Sequence, residues 1–110
     1  MIDWDRVTQL KEEVGEEDFQ EVVDIFLEEM GDEMKTFSPD LSATELEAKM
    51  HFLKGAALNL GLSKFAELCR FGEDSAREGH TDTVGTAAVI ACYQESIDVF
   101  TAALDGSAAA

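Results

Sequence analysis

The sequence predicts an all-α fold, an antiparallel four-helix bundle with a short N-terminal helix. Apolar residues recur at intervals of three and four through nearly the whole chain, no stretch sustains the alternation a half-buried strand needs, and proline occurs once in 110 residues. Breaks at Gly15, Ser38-Pro39-Asp40, Gly61 and Gly79 divide the helices, and such short connections call for antiparallel neighbours. The expected organisation is a single helical domain over residues 1–105 and a flexible C-terminal tail over 106–110, because chains of about 100 to 150 residues commonly fold around one core.

A leader comes first, with Ile2, Val7, Leu10 and Val14 giving it an apolar face and Gly15 ending it where positive φ is easily accepted. The next helix is expected from about Glu16 to Phe37, with Phe19, Val22, Val23, Phe26, Met30, Met34 and Phe37 on one stripe. Helical spacing accounts for these Met and Phe residues as core. The acids of Glu12 to Asp18 suit the positive end of a helix dipole and lack EF-hand spacing. Ser42-Ala43-Thr44-Glu45 fits a capping box opening a third helix that reaches about Leu60 and stops at Gly61. Ser63 is the expected N-cap of a fourth helix ending near Gly79. A last helix runs from about Asp82 to Leu104, with Val84, Ala88, Ala91, Ile97, Phe100 and Leu104 available for packing.

With 45% apolar and 29% charged residues, the composition is that of a soluble globular chain. A formal charge of −16 excludes a general nucleic-acid binder, which needs a basic footprint. The charge is uneven. From Lys49 to Arg77 five basic residues face three acidic ones, a window of +2 that leaves −18 for the rest and marks the region suited to an anion or an acidic partner. The opening Met-Ile-Asp-Trp-Asp has no basic and apolar signal pattern, and no apolar run approaches the roughly 18 residues of a membrane span, so a cytoplasmic protein without a membrane partner is expected. Cys69 and Cys92 lie far apart without a CxxC pair or ligand-spaced histidines; they read as buried thiols, and no metal site is expected.

The chemistry sits on the third helix. Leu46, Met50, Leu53, Ala57 and Leu60 define its buried side, and His51 lies about 100 to 180° away from them, facing outward. Gly55 and Leu58 share its face. A glycine inside a helix costs about 1 kcal/mol relative to alanine, so Gly55, one turn from His51, calls for a steric reason: its bareness lets another protein's surface approach the imidazole. Lys54 places a positive charge one turn along, able to neutralise a phosphoryl group. Leu58 and Leu62, taken as exposed, offer a partner an apolar grip.

The run His51-Phe52-Leu53-Lys54-Gly55-Ala56-Ala57-Leu58-Asn59-Leu60-Gly61 resembles the H-x-L-K-G-[SA]-x-x-x-[LI]-G motif of histidine-containing phosphotransfer (HPt) domains. Glu16-Glu17-Asp18-Phe19, Phe26-Leu27-Glu28-Glu29 and Ala76-Arg77-Glu78-Gly79 extend the resemblance over most of the chain. What it implies is a four-helix bundle whose histidine takes a phosphoryl group from a receiver-domain aspartate and hands it to another. His51 would be the phosphorylated residue, Lys54 the electrostatic assistant and Gly55 the clearance. The segment from Phe37 to His51 is short for the family, and Phe52, bulkier than the residue usual after the histidine, would restrict or select the partner.

The implied partners are response-regulator receiver domains and a histidine kinase, hybrid or not, met by a monomer. Imidazole with a reference pKa of about 6.5 can attack phosphorus near neutral pH, whereas serine cannot unaided. Phosphoryl transfer needs chiefly alignment and charge neutralisation, so no cofactor is expected on this chain and Mg²⁺ is expected on the partner receiver domain. The resemblance suggests Nε2 as the reacting atom; the sequence leaves the tautomer open. If the chain reverses around Gly61 and Leu62, the position level with His51 on the fourth helix is about residue 72. That brings in Arg70, Glu73 and Arg77: Glu73 to orient the imidazole, Arg70 or Arg77 to meet the phosphoryl group, with a solvated charged face the plain alternative for each. His80 follows Glu78-Gly79 and reads as a surface-loop histidine. No ATP-binding glycine-rich motif and no adjacent nucleophile is present, so a phosphocarrier rather than an autonomous enzyme is expected. A bundle that binds a kinase or receiver without being phosphorylated is the alternative.

Overall fold

The computed structural model describes residues 1–105, so the expected tail over 106–110 lies outside them. Five helices follow in order: α1 (Trp4–Val14), α2 (Glu16–Lys35), α3 (Ala43–Leu60), α4 (Ser63–Arg77) and α5 (Thr86–Asp105). No strand occurs among the described residues. The longer helices α2 to α5 form the antiparallel bundle and α1 is the leader.

Asp3 caps α1 by accepting from the Arg6 N–H at 3.2 Å, and Gly15 ends it at φ +88°. The leader buries Val7 and Leu10, and Trp4 stacks on Phe100 of α5 with ring centroids 6.2 Å apart. Its start is tied to the α3–α4 turn: the Asp3 N–H donates to the Gly61 carbonyl at 2.7 Å, and the Ser63 hydroxyl donates to the Met1 carbonyl at 2.9 Å. α2 stops at Lys35, two residues before the expected end, yet Phe37 still reaches the core from beyond the helix.

Both halves of the expected capping box are present at the start of α3, with Ser42 Oγ accepting from the Glu45 N–H and the Glu45 carboxylate accepting from the Ser42 N–H, each at 3.1 Å. Leu46, Met50, Leu53, Ala57 and Leu60 are all buried, as their spacing requires. The register of α3 is held a second way. Lys49, its side chain 12% exposed, donates to the Glu33 carbonyl and carboxylate and to Thr36 at the end of α2.

At the far end, Gly61 is left-handed (φ +79°), the Leu62 N–H donates to the Ala57 carbonyl at 2.8 Å and the Gly61 N–H to the Leu58 carbonyl at 3.3 Å. This Schellman arrangement turns the residue after the glycine inward against the last turn of the helix. Leu62 is therefore fully buried, which corrects the expectation that it is an exposed docking residue. It also takes the N-cap position of α4; Ser63 is the first helical residue and makes no cap bond, because its hydroxyl is drawn to Met1.

The last helix begins at Thr86, four residues after the expected start, behind a turn in which Val84 packs partly on the core. Its buried residues are Val89, Ser96 and Phe100, while Ala88 and Ala91 are exposed. Alanines scattered around a helix cannot set its phase. α5 also corrects the expectation about apolar runs, since Thr86–Leu104 is long and, at a mean hydropathy of 1.2, apolar enough to cross a membrane by length and composition. One such helix, carrying Glu95 and Asp98 and packing Phe100 into the bundle, is weak grounds for a membrane span. Cys69 is buried, and burial pushes its thiol up to about 12, too high for thiolate chemistry near neutral pH. Cys92 is only half-buried, against expectation.

Candidate functional site

The site is made where α3 and α4 come closest. Gly72 of α4 lies against Met50: a Cβ at residue 72 would stand 3.1 Å from the Met50 sulfur. Each of these contacts is one residue away in sequence from a functional side chain. The close approach they allow brings Glu73 to His51, with Glu73 Oε2 at 2.7 Å from His51 Nδ1. Glu73 is itself 4% exposed at the side chain, whereas the His51 side chain is 70% exposed. A buried carboxylate thus supports an imidazole that projects into solvent.

Three groups converge on that carboxylate. Lys54 Nζ lies 2.5 Å from Oε1, His51 Nδ1 sits on Oε2, and Arg77 Nη2 reaches the same Oε2 at 3.2 Å. Burial pushes the Glu73 pKa upward, but the hydrogen bonds from Lys54 and His51 outweigh it and hold the group below its ordinary 4.5, hence ionised at neutral pH. An ionised carboxylate can only accept, so Nδ1 carries the ring proton and the lone pair lies on Nε2. The arrangement makes Nε2 a solvent-facing nucleophile with a fixed partner behind it. Beside the ring, Thr44, Glu47, Ala48, His51, Glu73 and Arg77 line a shallow, open hollow of about 500 Å³.

A model of the Hpt domain matches residues 21–109, which takes in α3, α4, α5 and most of α2. The chain belongs to the Hpt family. Neither a search of curated proteins nor one of solved structures returned a match. As an Hpt domain it is a phosphotransfer domain of two-component systems, of a family whose members are phosphocarriers working with histidine kinases and response regulators. The leader α1 lies outside the matched residues.

Of the residues singled out in this Hpt domain's sequence, His51, Lys54, Glu73 and Arg77 come together. Gly55 opens on empty space, with nothing within 4 Å of where a Cβ would stand. Phe52 and Leu58 of α3 are exposed, at 40% and 55%. Arg70 does not join the site: it bonds Glu67 on its own helix at 2.6 Å, an i,i+3 pair in solvent, which leaves Arg77 as the arginine near the imidazole. His80 is exposed in the turn after α4, where its N–H donates to the Ser75 carbonyl. Two residues escaped the sequence reading. Gly72 carried the same signal as Gly55, a glycine inside a helix, and Glu47 sits one turn before His51 on its face, where it binds Arg77 at 3.1 Å. Among the described residues no group of three His, Cys, Asp or Glu could hold a metal ion.

Proposed function

We propose that His51 Nε2 accepts a phosphoryl group from the aspartyl phosphate of a receiver domain, or from a histidine-kinase system, and passes it to the aspartate of a response regulator. The observation that carries this reading is the pairing of a buried, ionised Glu73 on Nδ1 with an imidazole 70% exposed at its side chain. As Nε2 attacks, the P–N bond forms and the P–O bond to the donor aspartate breaks, its electron pair leaving with the carboxylate. The ring, still carrying its Nδ1 proton, becomes cationic. Glu73 offsets that charge as the aspartate behind a catalytic histidine does. In the onward step the N–P bond returns its pair to Nε2. Lys54 neutralises charge on the phosphoryl oxygens, while Mg²⁺ and its acidic ligands come with the receiver.

The test is incubation with a radiolabelled phosphorylated receiver domain and Mg²⁺. The expected product is an acid-labile, base-stable label that mass spectrometry places on His51. A chain that binds receivers and never takes label would be a docking module instead.

Gly55 separates stability from docking. Because the space above it is open, Gly55→Ala should stabilise the helix by up to about 1 kcal/mol. Gly55→Leu should keep the fold, yet slow transfer from a receiver at least about tenfold by blocking approach. Thermal melts and single-turnover labelling check both; unchanged transfer in the leucine variant would show that steric access is not the role of this glycine.

Glu73 gives the site a pH signature. A carboxylate held below 4.5 in the folded state stabilises the fold above that pH, and the contribution drains away as the pH falls through the lower folded value. Glu73→Gln keeps an acceptor for Nδ1 but loses the charge. The variant should lose about 1–3 kcal/mol at neutral pH, lose less stability than the wild type on acidification below about 4.5, and label about 10- to 100-fold more slowly.

A further inference from the structure

Each nitrogen of the Arg77 guanidinium donates to an acid. Nε donates to Glu47 at 3.1 Å, Nη1 to Asp74 at 3.3 Å and Nη2 to Glu73 at 3.2 Å. These anchors differ in kind. Glu73 is buried and shares the very oxygen that holds His51, so it keeps Arg77 one atom away from the imidazole. Asp74 is a neighbour on the same helix with its side chain 55% exposed. Glu47 reaches across from α3, is less exposed at 36%, and lines the hollow beside His51 together with Arg77. Its hydrogen bond is the largest of the influences that raise the Arg77 pKa, ahead of Glu73 and Asp74.

A phosphoryl group on Nε2 would bring about two negative charges next to this hollow. Lys54, three residues after His51, approaches from one side; Arg77 is the cation on the other. Arg77 cannot offer the phosphoryl oxygens its Nε–Nη fork while Nε stays on Glu47, because a planar guanidinium presents its donors in a fixed geometry.

We propose that Glu47 is a positioning residue that sets the phosphoryl-transfer equilibrium of His51 by competing with the phosphoryl group for Arg77. The inference rests on His51 being the phosphoryl acceptor. With Glu47 holding Arg77, phospho-His51 is left partly uncompensated and gives its phosphoryl group up to the next aspartate readily. Without Glu47, Arg77 turns to the phosphoryl group and the carrier retains it. The bonds made and broken are those of the relay; Glu47 touches neither phosphorus nor the imidazole and acts through Arg77.

The experiment measures the equilibrium ratio of label on His51 to label on a purified receiver domain with Mg²⁺, for the wild type, Glu47→Gln, Arg77→Gln and the double variant. Glu47→Gln should shift the ratio toward phospho-His51 by about three- to tenfold, the scale of a charge-assisted surface contact, and Arg77→Gln should shift it the opposite way. In the Arg77→Gln background the Glu47→Gln shift should shrink below twofold, since the coupled partner is gone. A purely structural glutamate would change the melting temperature and leave the ratio alone. An unchanged ratio overturns the proposal, as does a shift that persists undiminished without Arg77, because Glu47 would then act by direct repulsion. A wild type that takes no label removes the relay reading and this inference with it; a labelled wild type with an indifferent Glu47→Gln removes the inference alone.

Discussion

Replacing His51 by glutamine is expected to abolish labelling, a loss of at least about a thousandfold set by the assay background, while the protein stays folded. The reason is the division of labour at the site. The imidazole contributes an exposed nucleophilic nitrogen and one polar contact, to Glu73 at 2.7 Å. Glutamine can still donate an amide N–H to that carboxylate, so Glu73 is not left with an unmet partner, and surface substitutions of this kind cost within about 0.5–1 kcal/mol. What is lost is the lone pair: the amide nitrogen is conjugated with its carbonyl and does not attack phosphorus. The variant should melt within a few degrees of the wild type and should still bind a receiver, since Phe52, Gly55 and Leu58 are untouched. Persistence of an acid-labile label in His51→Gln would move the acceptor to another residue, His80 being the other histidine of the chain.

The position of Glu73 shows how far the sequence reaches into this site. Counting back from the turn at Gly61 put residue 72 level with His51, and the structure puts Gly72 on Met50 and Glu73 on His51. That count works because antiparallel helices joined by a two-residue turn have a fixed register. It does not say which way a long side chain leans. Arg70 and Arg77 share a stripe with Glu73, yet Arg70 finds Glu67 on its own helix while Arg77 finds Glu47 across the groove. Periodicity locates a face, whereas ion pairing on it depends on which acids, of the same helix or a neighbouring one, each side chain can reach.

The same limit explains the misplaced apolar residues. The phase of α3 was legible because Leu and Met recur on one side against Glu and Lys on the other. α5 carries five alanines between Thr86 and Asp105, and an alanine is at home buried or exposed, so Val89 and Ser96 took core places that the pattern assigned to Ala88 and Ala91. Leu62 failed for another reason: a residue beyond the end of a helix no longer follows its 3.6-residue period, and the left-handed Gly61 set its direction. The apolar surface left for a partner beside His51 is therefore Phe52 and Leu58.

Gly61→Ala is expected to be the most destabilising single-methyl change among the positive-φ glycines, at about 2–4 kcal/mol, or a fall of roughly 10–20 °C in melting temperature. Two terms add. Any alanine at φ +79° pays about 1–2 kcal/mol for the left-handed conformation. The new methyl would also stand 2.6 Å from the Asp3 carbonyl oxygen and 3.2 Å from the Val7 side chain, and the first of these is backbone. That carbonyl cannot retreat alone, because the Asp3 N–H is bonded to the Gly61 carbonyl, and the Ser63 hydroxyl and Lys64 N–H hold Met1 alongside. Relief requires the leader to lift from the α3–α4 turn, loosening the Trp4–Phe100 stack. Gly79→Ala isolates the first term, the backbone cost, since Gly79 has φ +89° with nothing within 4 Å, and should cost only about 1–2 kcal/mol. Equal costs for the two variants, measured by denaturant titration, would show that the leader does not bear on Gly61. Because the Ser42–Glu45 cap and the Met50–Gly72 contact hold His51 and Glu73 independently of the leader, Gly61→Ala should still accept label within a few-fold of the wild-type rate at temperatures where it remains folded. Stability and phosphoryl transfer then come apart in this variant as they do, in the opposite direction, in His51→Gln.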